Sequence, residues 1–299
     1  MDSQIIDISD ICRMTRIPLY LQTNKQNQML SSIRPIILAS FLSVFAFTNS
    51  FAQGFDPSWV SNLKSTSRSD KMVEIGKKFL GKPYLAGTLE SPKEQLICRL
   101  DGFDCYTYVE TLLALTLISE VANPSEQDFL ETMQRLRYRD GLIEGYASRI
   151  HYFFEWTKHA EELGLVEDLT PELGTLKPVK INFMSTHRQY YPAFKTNNKV
   201  LEDVKEMEAN LESYDFFEIK GEDLSKVENQ IKTGDIIAYT SKIGGLDVNH
   251  EGIAYWKDGK LHFMHASSEL KKVVISDETI ESYIKRIPKH TGLMVLRVL

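Results

Sequence analysis

An α+β fold is expected for this chain, because helix-type periodicity fills its first half and short β-type runs fill its last third. From Asp104 onward, Val109, Leu112, Leu113, Thr116 and Leu117 recur at a spacing of three and four, widened by Tyr108 and Leu115, which predicts a central helix. Residues 235–240, 252–256 and 261–266 are short apolar runs bounded by turn residues, as in an antiparallel meander. No Gly/Pro/Ser linker or internal repeat divides the chain, so one domain with insertions is the simplest organisation.

The other elements follow in order. Residues 70–80 predict a short helix that stops at Gly81, and Lys82-Pro83-Tyr84 then forces an extended or turning backbone. A loop with Gly87, Pro92 and Gly102 precedes the central helix. Asn123-Pro124 predicts the cap and opening of a second helix running to about Tyr138, and residues 151–163 predict a third. Between 166 and 232, Pro-bounded extended pieces surround a charged helix near 200–211, and no topology is legible there.

With 299 residues, 42% of them hydrophobic and 10% aromatic, the chain can bury a core without staples. A net charge of -6 and the absence of a basic, aromatic-interleaved stretch exclude a nucleic-acid partner. Residues 36–47 form an apolar run preceded by Arg34 and followed by Ser50-Phe51-Ala52, the pattern of a secretion signal over residues 29–52. That run is well short of the roughly 20 residues a bilayer span needs, so no stable membrane anchor is expected. No Cys follows the cleavage point, and lipid anchoring is not supported. The polar residues 1–28 sit in front of the signal as a dispensable segment, with translation starting at Met29. Residues 53–299 are then the folded domain, exported to the periplasm or secreted.

Asp104-Cys105 stands at the start of the central helix, where Asp is a favoured N-cap. A thiol there meets unpaired N–H groups and the positive end of the helix dipole, which favour thiolate and can also hold an oxyanion. The base comes from the meander. Asp258-Gly259 signals a two-residue hairpin turn that pairs Lys257 with Lys260 and sets Gly252 opposite His265. His250 then lies diagonal to His265 on the same sheet face, about 7 to 8 Å away by backbone. Thiol, imidazole and second imidazole form a nucleophile, base and orienter, namely Cys105, His250 and His265. A zinc site from His250, His262 and His265 is the competing arrangement, but strand parity turns His262 to the opposite face, beside Tyr255. No metal or other cofactor is expected. Cys98 and Cys105 could instead pair as a disulfide in an oxidising compartment.

The chain resembles the NlpC-type cell-wall hydrolases, a circularly rearranged version of the papain fold. The likeness runs through Gly81-Lys82-Pro83-Tyr84 with Gly87, then Phe103-Asp104-Cys105, then His250-Glu251-Gly252-Ile253-Ala254 with His265-Ala266-Ser267. It is closest to a larger amidase-like branch, similar at residues 100–110, 138–141, 149–152 and 245–250. Tyr106-Thr107 stands where the small endopeptidases carry Ser-Gly after the Cys, which also favours that branch.

The resemblance implies a papain-like cysteine-hydrolase core, a nucleophile helix packed on an antiparallel sheet, with large helical and loop insertions. It further implies N-acetylmuramoyl-L-alanine amidase activity on peptidoglycan fragments, with or without an anhydro end. Tyr84 is expected to bring its hydroxyl near the thiol, while Arg149 and His151 suit an acidic peptide or a sugar carbonyl. In the aromatic run Tyr146, Tyr152, Phe153, Phe154 and Trp156 several residues must be core, and the remaining aromatic faces suit a sugar ring. Two alternatives stay open: an endopeptidase cutting between D-glutamate and the diamino acid, and a wall-binding module without activity. Oligomeric state is not legible.

Overall fold

The computed structural model describes residues 55–195 and 197–299. The dispensable segment expected over 1–28 and the secretion signal expected over 29–52 lie outside the described residues. Eight strands are described: β1 (Val166–Asp168), β2 (Thr175–Leu176), β3 (Phe217–Lys220), β4 (Ile236–Ser241), β5 (Val248–Lys257), β6 (Lys260–Ser267), β7 (Lys272–Ile275) and β8 (His290–Val298). The helices are α1 (Arg68–Lys78), α2 (Cys105–Ile118), α3 (Glu126–Arg137), α4 (Phe153–Glu162), α5 (Thr170–Leu173), α6 (Phe183–Thr186), α7 (Pro192–Lys195), α8 (Asn198–Leu211), α9 (Leu224–Val227) and α10 (Ile280–Arg286).

The strands form one antiparallel sheet in the order β2-β3-β8-β4-β5-β6-β7, with β1 also on β8. The meander expected between 235 and 266 is therefore its middle, and the 166–232 region supplies strands that extend it. Ile236, Ala238, Ile253, Met264, Ala266, Met294 and Leu296 join the core shared with α1 to α4, while Ile237, Tyr239, Ala254, Phe263, Leu293 and Val295 pack with Ile280 and Ile284 of α10. That strict alternation means both faces of the sheet are covered. The fold is a mixed α+β arrangement of helices on an antiparallel sheet.

Helix α2 is apolar nearly all round and packs on β5 and β6, as a central helix should. Helix α3 starts later than Asn123-Pro124 predicts. Its cap is Ser125, whose hydroxyl accepts from the Asp128 N–H while the Asp128 carboxylate accepts from the Ser125 N–H. Asn123 instead turns the chain at φ +56°. This correction has a simple cause: Ser125 with Asp128 meets two unpaired donors at once, which Asn123 alone cannot. The hairpin follows expectation, with Lys257 facing Lys260 across Asp258 (φ +51°) and Gly259 (φ +71°), the left-handed pair such a turn requires.

Candidate active site

Cys105 is the first residue of α2, and Asp104 caps it: Asp104 Oδ1 accepts from the Thr107 N–H at 2.8 Å, and the Asp104 N–H donates to Thr107 Oγ1 at 3.0 Å. The approach to this cap is fixed by the Gly81–Tyr84 stretch. The Phe103 N–H donates to the Pro83 carbonyl at 3.0 Å, the Leu85 N–H to the Phe103 carbonyl at 2.9 Å, and the Tyr84 N–H to the Lys271 carbonyl at 2.9 Å. Tyr84 is thereby bridged to Phe103, in the segment that leads directly into α2. Only glycine fits at Gly102, where a Cβ would stand 2.5 Å from Leu85 Cδ1 and 2.8 Å from the Pro83 carbonyl.

The predicted register brings the histidines together. Tyr255 faces His262 and Ile253 faces Met264, and one further step sets Gly252 against His265, where an added Cβ would lie 3.0 Å from His265 Cβ. His250 Nε2 then meets His265 Nδ1 at 2.6 Å, with the rings edge to face at 84°. Both are buried, at 7% and 3% exposure. His262 occupies the other face and directs Nδ1 at the Ser276 and Glu278 carbonyls, 3.0 and 3.1 Å away. It is buried, at the edge of the core. Among the described residues no three His, Cys, Asp or Glu side chains converge as metal ligands.

The β5–β6 ladder ends at Ile253 and Met264, while β5 continues on β4 and β6 on β7. The Glu251 N–H, which points away from β4, is thereby released and bonds toward the Cys105 thiol, as does the Tyr106 N–H. Tyr283 of α10 borders the pair: its ring lies 5.9 Å from His250 and 6.0 Å from His265, and burial first, then the charge of a Cys105 thiolate, raise its pKa.

The electrostatics depart from expectation in one respect. Burial first, then the Glu251 and Asp104 carboxylates, push the Cys105 thiol well above an ordinary thiol, outweighing the two N–H groups that favour thiolate. A helix start alone therefore does not yield a preformed thiolate here. Burial likewise pushes His250 well below an ordinary imidazole and His265 to about 3. The resting groups are a neutral thiol and neutral rings.

Both Cys98 and Cys105 are free thiols, so the disulfide alternative is not realised. Cys98 is buried, and that burial lifts its pKa to about 11 despite the nearby Arg137. Arg149 is also buried, held by Glu90 at 2.8 Å and Glu94 at 3.0 Å, and stacks over the Tyr146 ring. His151 stacks on the same ring and its Nε2 meets the Tyr146 carbonyl at 2.9 Å. The two form a cluster of their own, although the charge of Arg149 reaches Asp104 and Tyr106. Of the aromatic run, of which several were expected in the core, Tyr152, Phe153, Phe154 and Trp156 are core residues, and Tyr146 alone is half-buried. A cavity of about 530 Å3 lies between α4 and α8, and none of the predicted site residues lines it.

Sequence reasoning missed Glu251, Tyr283, Tyr239 and His290. Glu251 acts on the thiol through both its main-chain N–H and its carboxylate, and it meets Cys105 only through the packing of α2 on β5; the other three join the histidines only through β4, α10 and β8.

Helices packed on an antiparallel sheet that carries a buried histidine pair place the chain in the α+β class. The chain belongs to the AmiA-like, N-acetylmuramoyl-L-alanine amidase-like family, whose profile matches residues 74–293. Among solved structures it is similar to an N-acetylmuramoyl-L-alanine amidase from Bacteroides uniformis, at 37% identity and a TM-score of 0.74, over 77% of this chain and 98% of that one. It is also similar to a Bacteroides fragilis protein that carries a xylanase name, at 38% identity and TM-score 0.72, over 75% of this chain and 100% of the other. A Legionella pneumophila protein follows at 26% identity and TM-score 0.62, over 80% and 92%. No curated protein matches the chain.

Proposed function

We propose that this chain is an exported cysteine amidase with a papain-like core, which hydrolyses the amide between N-acetylmuramic or anhydro-muramic acid and L-alanine in peptidoglycan fragments. The observation that carries the chemistry is the 2.6 Å contact between His250 Nε2 and His265 Nδ1, on the two strands against which the Cys105 helix packs. With the Nε2–H of His250 donated to His265, its Nδ1 stays free to accept a proton. The Cys105 sulfur attacks the lactyl carbonyl carbon as its proton passes to that Nδ1, and N–H groups at the start of α2 hold the oxyanion. The C–N bond breaks as the L-alanine nitrogen takes the proton from His250 and the peptide leaves. Water, activated by the same ring, then cleaves the thioester and frees the sugar acid.

Tyr84 and the Arg149–His151 cluster are assigned to the substrate-holding wall, with Glu90 as the carboxylate an acidic ligand would displace from Arg149. Residues 29–52 are assigned to export and 53–299 to the catalytic domain, with 1–28 dispensable. A glycosidase would need two carboxylates flanking an open cleft. Here Glu110 and Glu251 are buried and Asp104 is engaged in its cap.

The test is mass spectrometry of the products from a disaccharide-tripeptide, with and without a 1,6-anhydro end. Free disaccharide and intact tripeptide are expected. Disaccharide still bearing L-Ala-D-Glu would mean that the stem peptide, not the muramoyl amide, is cut.

A further inference from the structure

A third histidine stands beside the pair. His290, the first residue of β8, stacks on Tyr239 at 4.9 Å, and Tyr239 stacks on His250 at 6.0 Å, with interplanar angles of 22° and 25°. Tyr283 lies over this array, 5.4 Å from His290 and 5.0 Å from Tyr239. His250 and His265 bond to each other, but among the described residues neither ring nitrogen of His290 has a hydrogen-bond partner, although the residue is only 7% exposed. Buried polar atoms are nearly always satisfied, so this imidazole is open to a partner that the described residues do not supply.

Lys289, immediately before it, is exposed and held by its main chain. Its carbonyl accepts from the Lys242 N–H at 2.8 Å and from Asn249 Nδ2 at 2.9 Å, which fixes it at the end of β4 and the start of β5. Among the described residues no carboxylate pairs with its ammonium, whereas the neighbouring Arg286 is engaged by Glu278 and Glu269. Burial first, and the Lys289 charge after it, lower the pKa of both His250 and His290.

We propose that Lys289 and His290 form a subsite that holds a carboxylate of the peptide portion of the substrate beside His250. An ammonium supplies charge and an imidazole N–H supplies direction, a combination that selects an anionic oxygen over an amide. The subsite would make Lys289 and His290 specificity-determining residues rather than members of the thiol machinery. This inference rests on the amidase reading for the identity of its ligand.

Its test is independent of turnover. Calorimetry on Cys105→Ala protein compares the tripeptide L-Ala-γ-D-Glu-diamino acid with the same tripeptide fully amidated. The acid is expected to bind roughly tenfold more tightly, a preference that weakens with added salt. Lys289→Ala and His290→Phe should each remove most of that preference while leaving affinity for the amidated peptide unchanged, and Lys289→Arg should keep it. Thermal unfolding of each variant separates a lost contact from a lost fold. No preference in the parent, no binding of the acid peptide, or a preference untouched by both variants would overturn the subsite. If the preference follows Lys289 and His290 but no sugar–alanine bond is cut, the subsite stands and the amidase reading falls. If that bond is cut without any preference, the amidase reading stands and the subsite falls.

Discussion

His250 and His265 share one short contact, Nε2 to Nδ1 at 2.6 Å, made possible by their diagonal places on adjacent strands. If His250 is the base and His265 its orienter, the variants should rank. His250→Ala should abolish hydrolysis, and His265→Ala should lower kcat by roughly a hundredfold, within the span usual for acid–base groups. His262→Ala should leave kcat within a few-fold but lose about 1 kcal/mol of stability, because its bonds to the Ser276 and Glu278 carbonyls disappear. Steady-state kinetics with denaturant unfolding checks the ranking. Equal losses of activity at His250 and His262 would point back to a metal.

Strand parity made this half of the site legible. An Asp-Gly turn and a period of two were enough to place Lys257 opposite Lys260 and His250 on the face of His265. The Asp104 cap and α2 were equally visible, since both depend on local pattern. What was hidden is non-local. The run 292–296 of β8 is nearly continuous apolar sequence with no period, so nothing in it announces a strand at the middle of the sheet. For the same reason His290 and Tyr239 could not be joined to His250. The state of the thiol was misjudged because a helix start argues for thiolate, whereas burial and the Glu251 and Asp104 carboxylates act through tertiary packing.

The upward push on Cys105 has a direct consequence for alkylation. Iodoacetamide modification should accelerate with pH beyond the ordinary thiol range and show no plateau near neutrality. Glu251→Gln, by removing the largest carboxylate contribution, should move the profile to lower pH. Cys98, buried and lifted to about 11, should stay unmodified in the native protein. A rate that is flat between pH 6 and 8, roughly, would mean a thiolate already formed, contrary to this geometry.

Glu110 of α2 and Arg137 of α3 are each 1% exposed, and Glu110 Oε2 meets Arg137 Nη2 at 2.5 Å and Nε at 2.9 Å. Arg137 also donates to the Ile97 carbonyl, tying the loop that leads to α2. Breaking one side leaves a buried charge, so Glu110→Gln or Arg137→Met should cost about 3–5 kcal/mol in urea unfolding. Replacing both with apolar residues of similar volume should recover much of that loss. Additive losses in the double variant would show that the two do not act as a pair.

Helix α4 has no side-chain cap of its own; the Phe154 N–H is instead met by Asp247 Oδ2 at 2.8 Å, from the loop that opens β5. Asp247 is 2% exposed, and burial raises its pKa to about 6 against the N–H bonds that lower it. A carboxyl whose folded pKa lies above its unfolded value contributes stability that is complete below the unfolded pKa of 3.8 and is lost as pH rises to about 6. The span is about two units, or about 3 kcal/mol. Asp247→Asn keeps an acceptor for Phe154 without the charge. Its stability should therefore match wild type near pH 4, roughly, and exceed it by up to about 3 kcal/mol at neutral pH. Asp247→Ala should instead be less stable than Asp247→Asn at both pH values by about 1–2 kcal/mol, since the α4 donor loses its partner. Urea unfolding of the three proteins at both pH values tests this. A constant gap between wild type and Asp247→Asn would mean that Asp247 has the same pKa folded and unfolded, and that the α4 cap carries no charge penalty three residues before His250.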